Sequence, residues 1–167
     1  MKKYLTLILV LAFLLTFTTS TQALVEPAVN EGQGYFTVSL VPGGATGFSV
    51  GGDFGLTDTI GIFGEIGEPY SRLGLKYQLS PEFAVTGGYV VNESVFLGLN
   101  TSIPAADNLR IAGELGLVAP DSDLALMYQA GAIYDLQQNI DIRASYNGIT
   151  SGRMISSLGL AILSSEK

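Results

Sequence analysis

Nine charged side chains stand at alternating positions of otherwise apolar segments, and through them this chain could do chemistry. Four are acids and five are bases: Asp53, Glu65, Glu114, Asp141, Arg72, Lys76, Arg110, Arg143 and Arg153. A carboxylate pair such as Asp53 with Asp141 could in principle catalyse hydrolysis. Structural ion pairing is the more common reason for such a set. We therefore interpret the nine residues as an ion-pair network.

The chain contains no histidine and no cysteine. Histidine is the commonest side-chain base near neutral pH and the commonest metal ligand, so Ser-His-Asp, Cys-His and zinc chemistry are excluded. We expect no enzyme activity, no metal and no cofactor. The lack of cysteine also excludes a disulfide-stapled secreted domain and a lipid-anchored lipoprotein.

The first 23 residues are typical of a secretory signal peptide. Lys2 and Lys3 precede a 13-residue apolar run from Leu5 to Phe17, and small or polar residues lead to Ala23. This run is shorter than the roughly 20 residues that a membrane-spanning helix needs. We predict export and cleavage after Ala23, with an uncleaved anchor helix as the alternative.

Removal of the signal makes the chain more acidic. Without Lys2 and Lys3, six of the eight basic side chains remain against fifteen acidic ones, a net charge of −9. Nucleic acid is therefore excluded as a partner, because its phosphates require basic surfaces. We divide the remaining chain into an N-terminal tail at 24–32, one β-barrel domain at 33–163 and a C-terminal tail at 164–167.

The stretch 73–89 shows the pattern that repeats along the chain. Apolar residues alternate with small or polar ones on both sides of Ser80-Pro81-Glu82, which predicts two antiparallel strands and a tight turn. Eight or twelve strands are the alternatives to ten, because such patterns define strand boundaries poorly. Ten strands are predicted at 35–41, 46–54, 59–67, 72–79, 83–91, 94–102, 108–118, 124–134, 140–147 and 152–163.

The two faces of these strands differ in composition. One carries Leu, Ile, Val, Phe and Tyr, and the other carries Gly, Ser, Thr and Ala with the nine charges. A water-facing sheet usually carries many long charged side chains, whereas repeated glycine suits a crowded concave wall. A nearly balanced set of charges is what an enclosed lumen requires. We predict that the polar face lines a lumen; ordinary exposed strand charges are the alternative.

Aromatic residues lie near the ends of the predicted strands. Belts of Tyr and Phe on either side of an aliphatic band are typical of outer-membrane barrels, although core packing is the alternative for each ring. We predict that eight aromatic side chains mark the two membrane boundaries: Phe54, Tyr77, Phe83 and Tyr134 at one, and Phe48, Tyr70, Tyr89 and Tyr146 at the other.

With its export signal and its amphipathic hairpins at 73–89 and 97–117, the chain resembles the small bacterial outer-membrane β-barrels of the OmpA/OmpX kind. The resemblance implies an all-β, closed antiparallel up-and-down transmembrane barrel with lipid outside, a polar lumen and periplasmic termini. It also implies outer-membrane lipid and the barrel assembly machinery as partners. Such barrels usually end in an aromatic residue, whereas this chain ends in Glu166-Lys167. They often have long extracellular loops, and the loops predicted here are short.

These features predict an outer-membrane protein that is a narrow or plugged pore, or a structural component of the envelope. A lumen of about eight strands is just filled by side chains, and ten strands make it little wider. The charged network would then narrow the lumen so that at most small solutes could pass. The alternatives are a soluble exported barrel that binds an apolar ligand and, less favoured, a lumen-active membrane hydrolase. The sequence leaves open the oligomeric state and whether residues 24–32 enter the lumen.

Overall fold

The structure, a computed structural model, describes residues 25–28, 30–40, 47–67, 71–91, 94–119, 124–137, 139–150 and 154–165. Ten strands in these ranges form one closed antiparallel barrel. The predicted all-β, up-and-down fold and the count of ten strands are confirmed. No helix in the described ranges is long and apolar enough to cross a membrane.

Each strand pairs with its neighbours in sequence, and the pairing of β1 with β10 closes the barrel. A closed barrel has no edge strand, so every strand finds partners on both sides. The strands are β1 Gln33–Leu40, β2 Phe48–Gly55, β3 Ile60–Ile66, β4 Arg72–Ser80, β5 Phe83–Val90, β6 Ser94–Ala106, β7 Leu109–Val118, β8 Ala125–Gln137, β9 Ile140–Ile149 and β10 Met154–Ser165.

The two ends of the barrel differ. At one end, which we name the turn end, β1 begins, β10 ends and short connections join β4 to β5 and β6 to β7. The opposite end is named the loop end. The resemblance to outer-membrane barrels implies that the turn end faces the periplasm.

Two strands run further toward the turn end than their sequence patterns predict. The sixth strand was predicted to end at residue 102, but β6 continues to Ala106 and pairs Pro104 with Arg110 before a register shift. Similarly, β8 continues beyond Tyr134 to Gln137 with a shift after Asp135. These predictions were wrong because a bulge lets an irregular segment, even one with proline, stay in the ladder.

The apolar face of the strands points outward. Leu73 is 66% exposed and Leu97 is 65% exposed, although both lie within strands. All charged residues of the ten strands face inward: Asp53, Glu65, Arg72, Lys76, Arg110, Glu114, Asp135, Asp141 and Arg143. A soluble barrel would have the opposite arrangement, so the alternative of a soluble barrel with an apolar interior is wrong.

The N-terminal segment lies inside this barrel. Gly32 has a φ of 72°, which glycine adopts without strain, and the amide of Gln33 donates to the carbonyl oxygen of Asn30 over 3.1 Å. This turn reverses the chain at the turn end, so that residues 25–28 run back into the lumen, where they are buried or half-buried. We name residues 25–28 the plug segment.

Candidate functional site in the barrel lumen

The carboxylate of Glu26 in the plug segment lies between two arginines of the barrel wall. Arg143 Nη2 on β9 donates to Glu26 Oε1 over 2.7 Å, and Arg110 Nη1 on β7 donates to Glu26 Oε2. Glu26 is only 1% exposed. Hydrogen bonds between ionised groups are about twice as strong as neutral ones, so this contact ties the plug segment to two strands.

Lys76 on β4 holds the backbone of the same segment. Its ammonium group donates to the carbonyl oxygens of Glu26 at 2.9 Å and Ala28 at 3.0 Å, and to Asp53 Oδ2 at 3.0 Å. An ammonium group has three donors, and here all three are used although Lys76 is only 1% exposed. Two of the three bonds depend on the plug segment.

Asn100 on β6 adds a further bond to the plug segment. Its Nδ2 donates to the carbonyl oxygen of Val25 over 2.8 Å, and Asn100 is fully buried. The plug segment is therefore bound by side chains from four strands: β4, β6, β7 and β9.

Two aspartates and a tyrosine of the wall hold the arginines in place. Asp141 Oδ2 lies 3.1 Å from Arg143 Nη2 and 3.5 Å from Arg110 Nη2, and Asp135 also pairs with Arg110. The guanidinium carbon of Arg143 lies 4.7 Å from the centre of the Tyr35 ring, a cation–π contact. These contacts orient the arginines independently of Glu26.

A second ion-pair cluster lies nearer the loop end of the lumen. Arg72 Nη1 on β4 donates to Glu114 Oε2 on β7 over 2.7 Å, and Thr86 donates its hydroxyl to Glu114 Oε1 over 2.6 Å. Arg72 Nε lies 3.7 Å from Glu65, and its guanidinium carbon lies 5.1 Å from the Phe63 ring centre. Because β4 and β7 are not neighbours, this cluster bridges the lumen.

Apolar side chains fill the loop end of the lumen around Val25. Phe63 and Phe96 make an edge-to-face contact with ring centres 6.1 Å apart. A cavity beside Val25 and Asp53 has room for about one water molecule. The members of this apolar cluster are Val25, Phe63, Val90, Phe96, Val118, Ala125, Met127 and Ile149.

Glycine on the inner face makes room for these networks. A Cβ atom at Gly61 would lie 2.9 Å from Cε of Lys76, and one at Gly98 would lie 2.8 Å from Oγ1 of Thr86. Both distances are shorter than real Cβ contacts. Glycine at these two positions therefore leaves room for the side chains of Lys76 and Thr86.

The barrel is similar to solved transmembrane barrels. No protein-family model matches the chain, and no curated protein matches it. A de novo designed transmembrane β-barrel is 17% identical, with 82% of this chain and 99% of that chain covered and a TM-score of 0.41. A KdgM porin is 10% identical, with 81% and 99% covered and a TM-score of 0.42. Ail, the attachment invasion locus protein of Yersinia pestis, is 14% identical, with 80% and 95% covered and a TM-score of 0.31.

Eight of the nine charged residues singled out from the sequence lie in the lumen. They fall into the two clusters. One lies around the plug segment and contains Asp53, Lys76, Arg110, Asp141 and Arg143; the other lies nearer the loop end and contains Glu65, Arg72 and Glu114. Arg153 lies outside the described residues. Six of the eight predicted boundary aromatics are exposed on the outer face, Phe48, Phe54, Tyr77, Phe83, Tyr89 and Tyr146; Tyr134 is half-buried and Tyr70 lies outside the described residues.

Sequence reasoning missed Glu26 and Asp135. Asp135 was missed because the eighth strand was predicted to end at Tyr134, one residue before it. Glu26 was missed because it lies in a segment without any period. Charge balance gave no signal for either residue, because the eight charges of the predicted network in the described residues are already four acids and four bases.

Proposed function

We propose that this chain is an outer-membrane barrel whose lumen is closed by its own N-terminal segment. In this state it is a plugged pore or a structural part of the envelope. One observation carries the proposal: the plug segment supplies acceptors to Lys76, Arg110 and Arg143 inside the lumen, and Glu26 is only 1% exposed between the two arginines. A segment bound in this way occupies the space through which a solute would have to pass.

The outer surface supports a place in a membrane. Soluble monomers rarely expose apolar patches larger than a few hundred Å², whereas here exposed Leu, Ile, Val, Phe and Tyr side chains extend around the barrel. All charged residues of the strands face the lumen. Closure of the barrel satisfies the backbone hydrogen bonds that hydrocarbon cannot satisfy.

The predicted export signal supports the outer membrane as that membrane. Closed antiparallel barrels with an apolar outer band and aromatic boundaries are the architecture of bacterial outer-membrane proteins. In that orientation the plug segment enters from the periplasmic side, where β1 also begins.

The contacts of the carboxylates favour a closed lumen over a lumen-active hydrolase. Asp53 bonds to the ammonium of Lys76, and Asp141 pairs with Arg143 and Arg110. A catalytic acid or base needs access to a substrate proton. These two carboxylates instead belong to the ion pairs that hold the plug segment.

Planar-bilayer recording tests this proposal with two refolded proteins, one spanning residues 24–167 and one that lacks residues 24–29. The shortened protein keeps the turn at Asn30 to Gln33. We expect no unitary current steps from the longer protein and small steps from the shortened one. Full-size steps from the longer protein, equal to those of the shortened one, would contradict closure by the plug segment.

A further inference from the structure

We infer that Arg110 and Arg143 form a carboxylate-binding site in the turn-end half of the lumen. Glu26 occupies this site in the closed barrel, and a carboxylate-bearing solute occupies it when the plug segment leaves. The inference rests on the proposed closure, because only a segment that can leave exposes the site.

The geometry selects a carboxylate. The two oxygens of Glu26 are bound by different arginines on different strands, Oε1 by Arg143 and Oε2 by Arg110. A carboxylate offers two acceptor oxygens, whereas an amide offers one acceptor and one donor. An amide in the same position would direct its NH₂ group at one of the guanidinium groups, so the site distinguishes the two.

The wall keeps the site in shape without the plug segment. Arg143 rests on the Tyr35 ring and pairs with Asp141, while Arg110 pairs with Asp135 and Asp141. These two aspartates balance the charge of the two arginines. A solute carboxylate therefore meets a preorganised but nearly neutral site, which favours weak, reversible binding over tight capture.

The site is accessible from the turn end. The side chain of Arg110 is 26% exposed and that of Asp135 is 38% exposed, so solvent reaches these two side chains. The plug segment also enters the lumen from this end, where β1 begins. A solute at the turn end can therefore reach the site as the plug segment leaves it.

The other bonds of the plug segment define the rest of the ligand. Lys76 and Asn100 bind backbone carbonyl oxygens of Val25, Glu26 and Ala28. These donors require only neutral oxygen acceptors. The ligand class is therefore a carboxylate that carries carbonyl or hydroxyl oxygens a short distance from its charged group.

Competition with a small carboxylate tests the site in the protein spanning residues 24–167. Val25→Cys introduces a single cysteine into a chain that has none, and maleimide labelling of that cysteine reports when the plug segment leaves. Glu26→Ala in this background removes the carboxylate and leaves the arginines, so labelling should become faster. We expect propionate, at constant ionic strength, to speed labelling of the Val25→Cys parent severalfold, because propionate can occupy the two arginines only when Glu26 has left them. Propionamide, its neutral analogue, should have no effect.

The outcomes separate this inference from the proposed closure. If Glu26→Ala labels no faster than its parent, Arg110 and Arg143 do not hold the plug segment and the proposed closure fails. If it labels faster but propionate and propionamide act alike, closure stands and the carboxylate site is wrong. As a second measurement, propionate should raise the unfolding temperature of the protein lacking residues 24–29 by a few degrees, and propionamide should not. Equal effects of the two compounds would again overturn the inference.

Discussion

Replacing Glu26 with glutamine keeps the shape of the side chain and removes the charge that the two arginines bind. In the parent, Glu26 accepts one charge-assisted bond from Arg143 and one from Arg110. We expect the amide introduced by Glu26→Gln to keep one acceptor bond and to lose the other. The closed state should therefore lose stability relative to the state in which the plug segment is withdrawn.

The magnitude follows from the two bonds. A hydrogen bond to a charged group contributes about 1.5–3 kcal/mol, and the pair about twice that. One acceptor bond survives in part, and water can reach the quarter-exposed side chain of Arg110, so we discount the loss to about 3 kcal/mol. Since about 1.4 kcal/mol is a factor of ten, the withdrawn state should become about a hundredfold more populated.

Maleimide labelling of Val25→Cys measures this population when labelling proceeds through the withdrawn state. Glu26→Gln should raise the labelling rate about a hundredfold. Glu31→Gln is the matched control, because it makes the same chemical change at an exposed position of the same N-terminal region. If both variants label at the parent rate, Arg110 and Arg143 do not hold the plug segment.

Three further changes test separate parts of the structure. Gly55→Ala should increase the rate of Val25→Cys labelling about tenfold or more, because the added Cβ would collide with the carbonyl of Asn30. Gly87→Ala is the control and should leave the labelling rate unchanged, because its Cβ would be no closer than 3.5 Å to its neighbours. Glu114→Gln breaks the ion pair with Arg72 across the lumen and should lower barrel stability by about 3 kcal/mol. The folded gel band should then convert to the unfolded band at a lower temperature. An unchanged temperature would contradict a stabilising role of this ion pair. Leu75→Arg places a charge on the lipid face and should lower the free energy of unfolding by about 2–4 kcal/mol near the bilayer midplane, measured by urea titration in vesicles. Leu75→Ala is its control. Equal urea midpoints for the two variants would contradict an outward-facing Leu75.

The strands could be predicted from the sequence because their signal is local. Alternation with a period of two puts every second residue on one face, and a slip of one residue would turn every apolar side chain into the lumen. The ends of β6 and β8 could not be predicted, because each depends on a register shift against the neighbouring strand.

The plug segment could not be predicted, because its partners are distant in the chain. Glu26 meets Lys76 across 50 residues and Arg143 across 117. Its own sequence has no period to mark it as buried.

The position of Val25 in the folded barrel tests the central claim most directly. Two single-cysteine variants, Val25→Cys and Glu31→Cys, differ in that Val25 is 7% exposed and Glu31 is exposed. We predict that the cysteine at position 25 labels about a hundredfold more slowly in the folded protein, and at an equal rate once both are unfolded. Equal labelling rates in the folded barrel would contradict closure of the lumen by its own N-terminal segment.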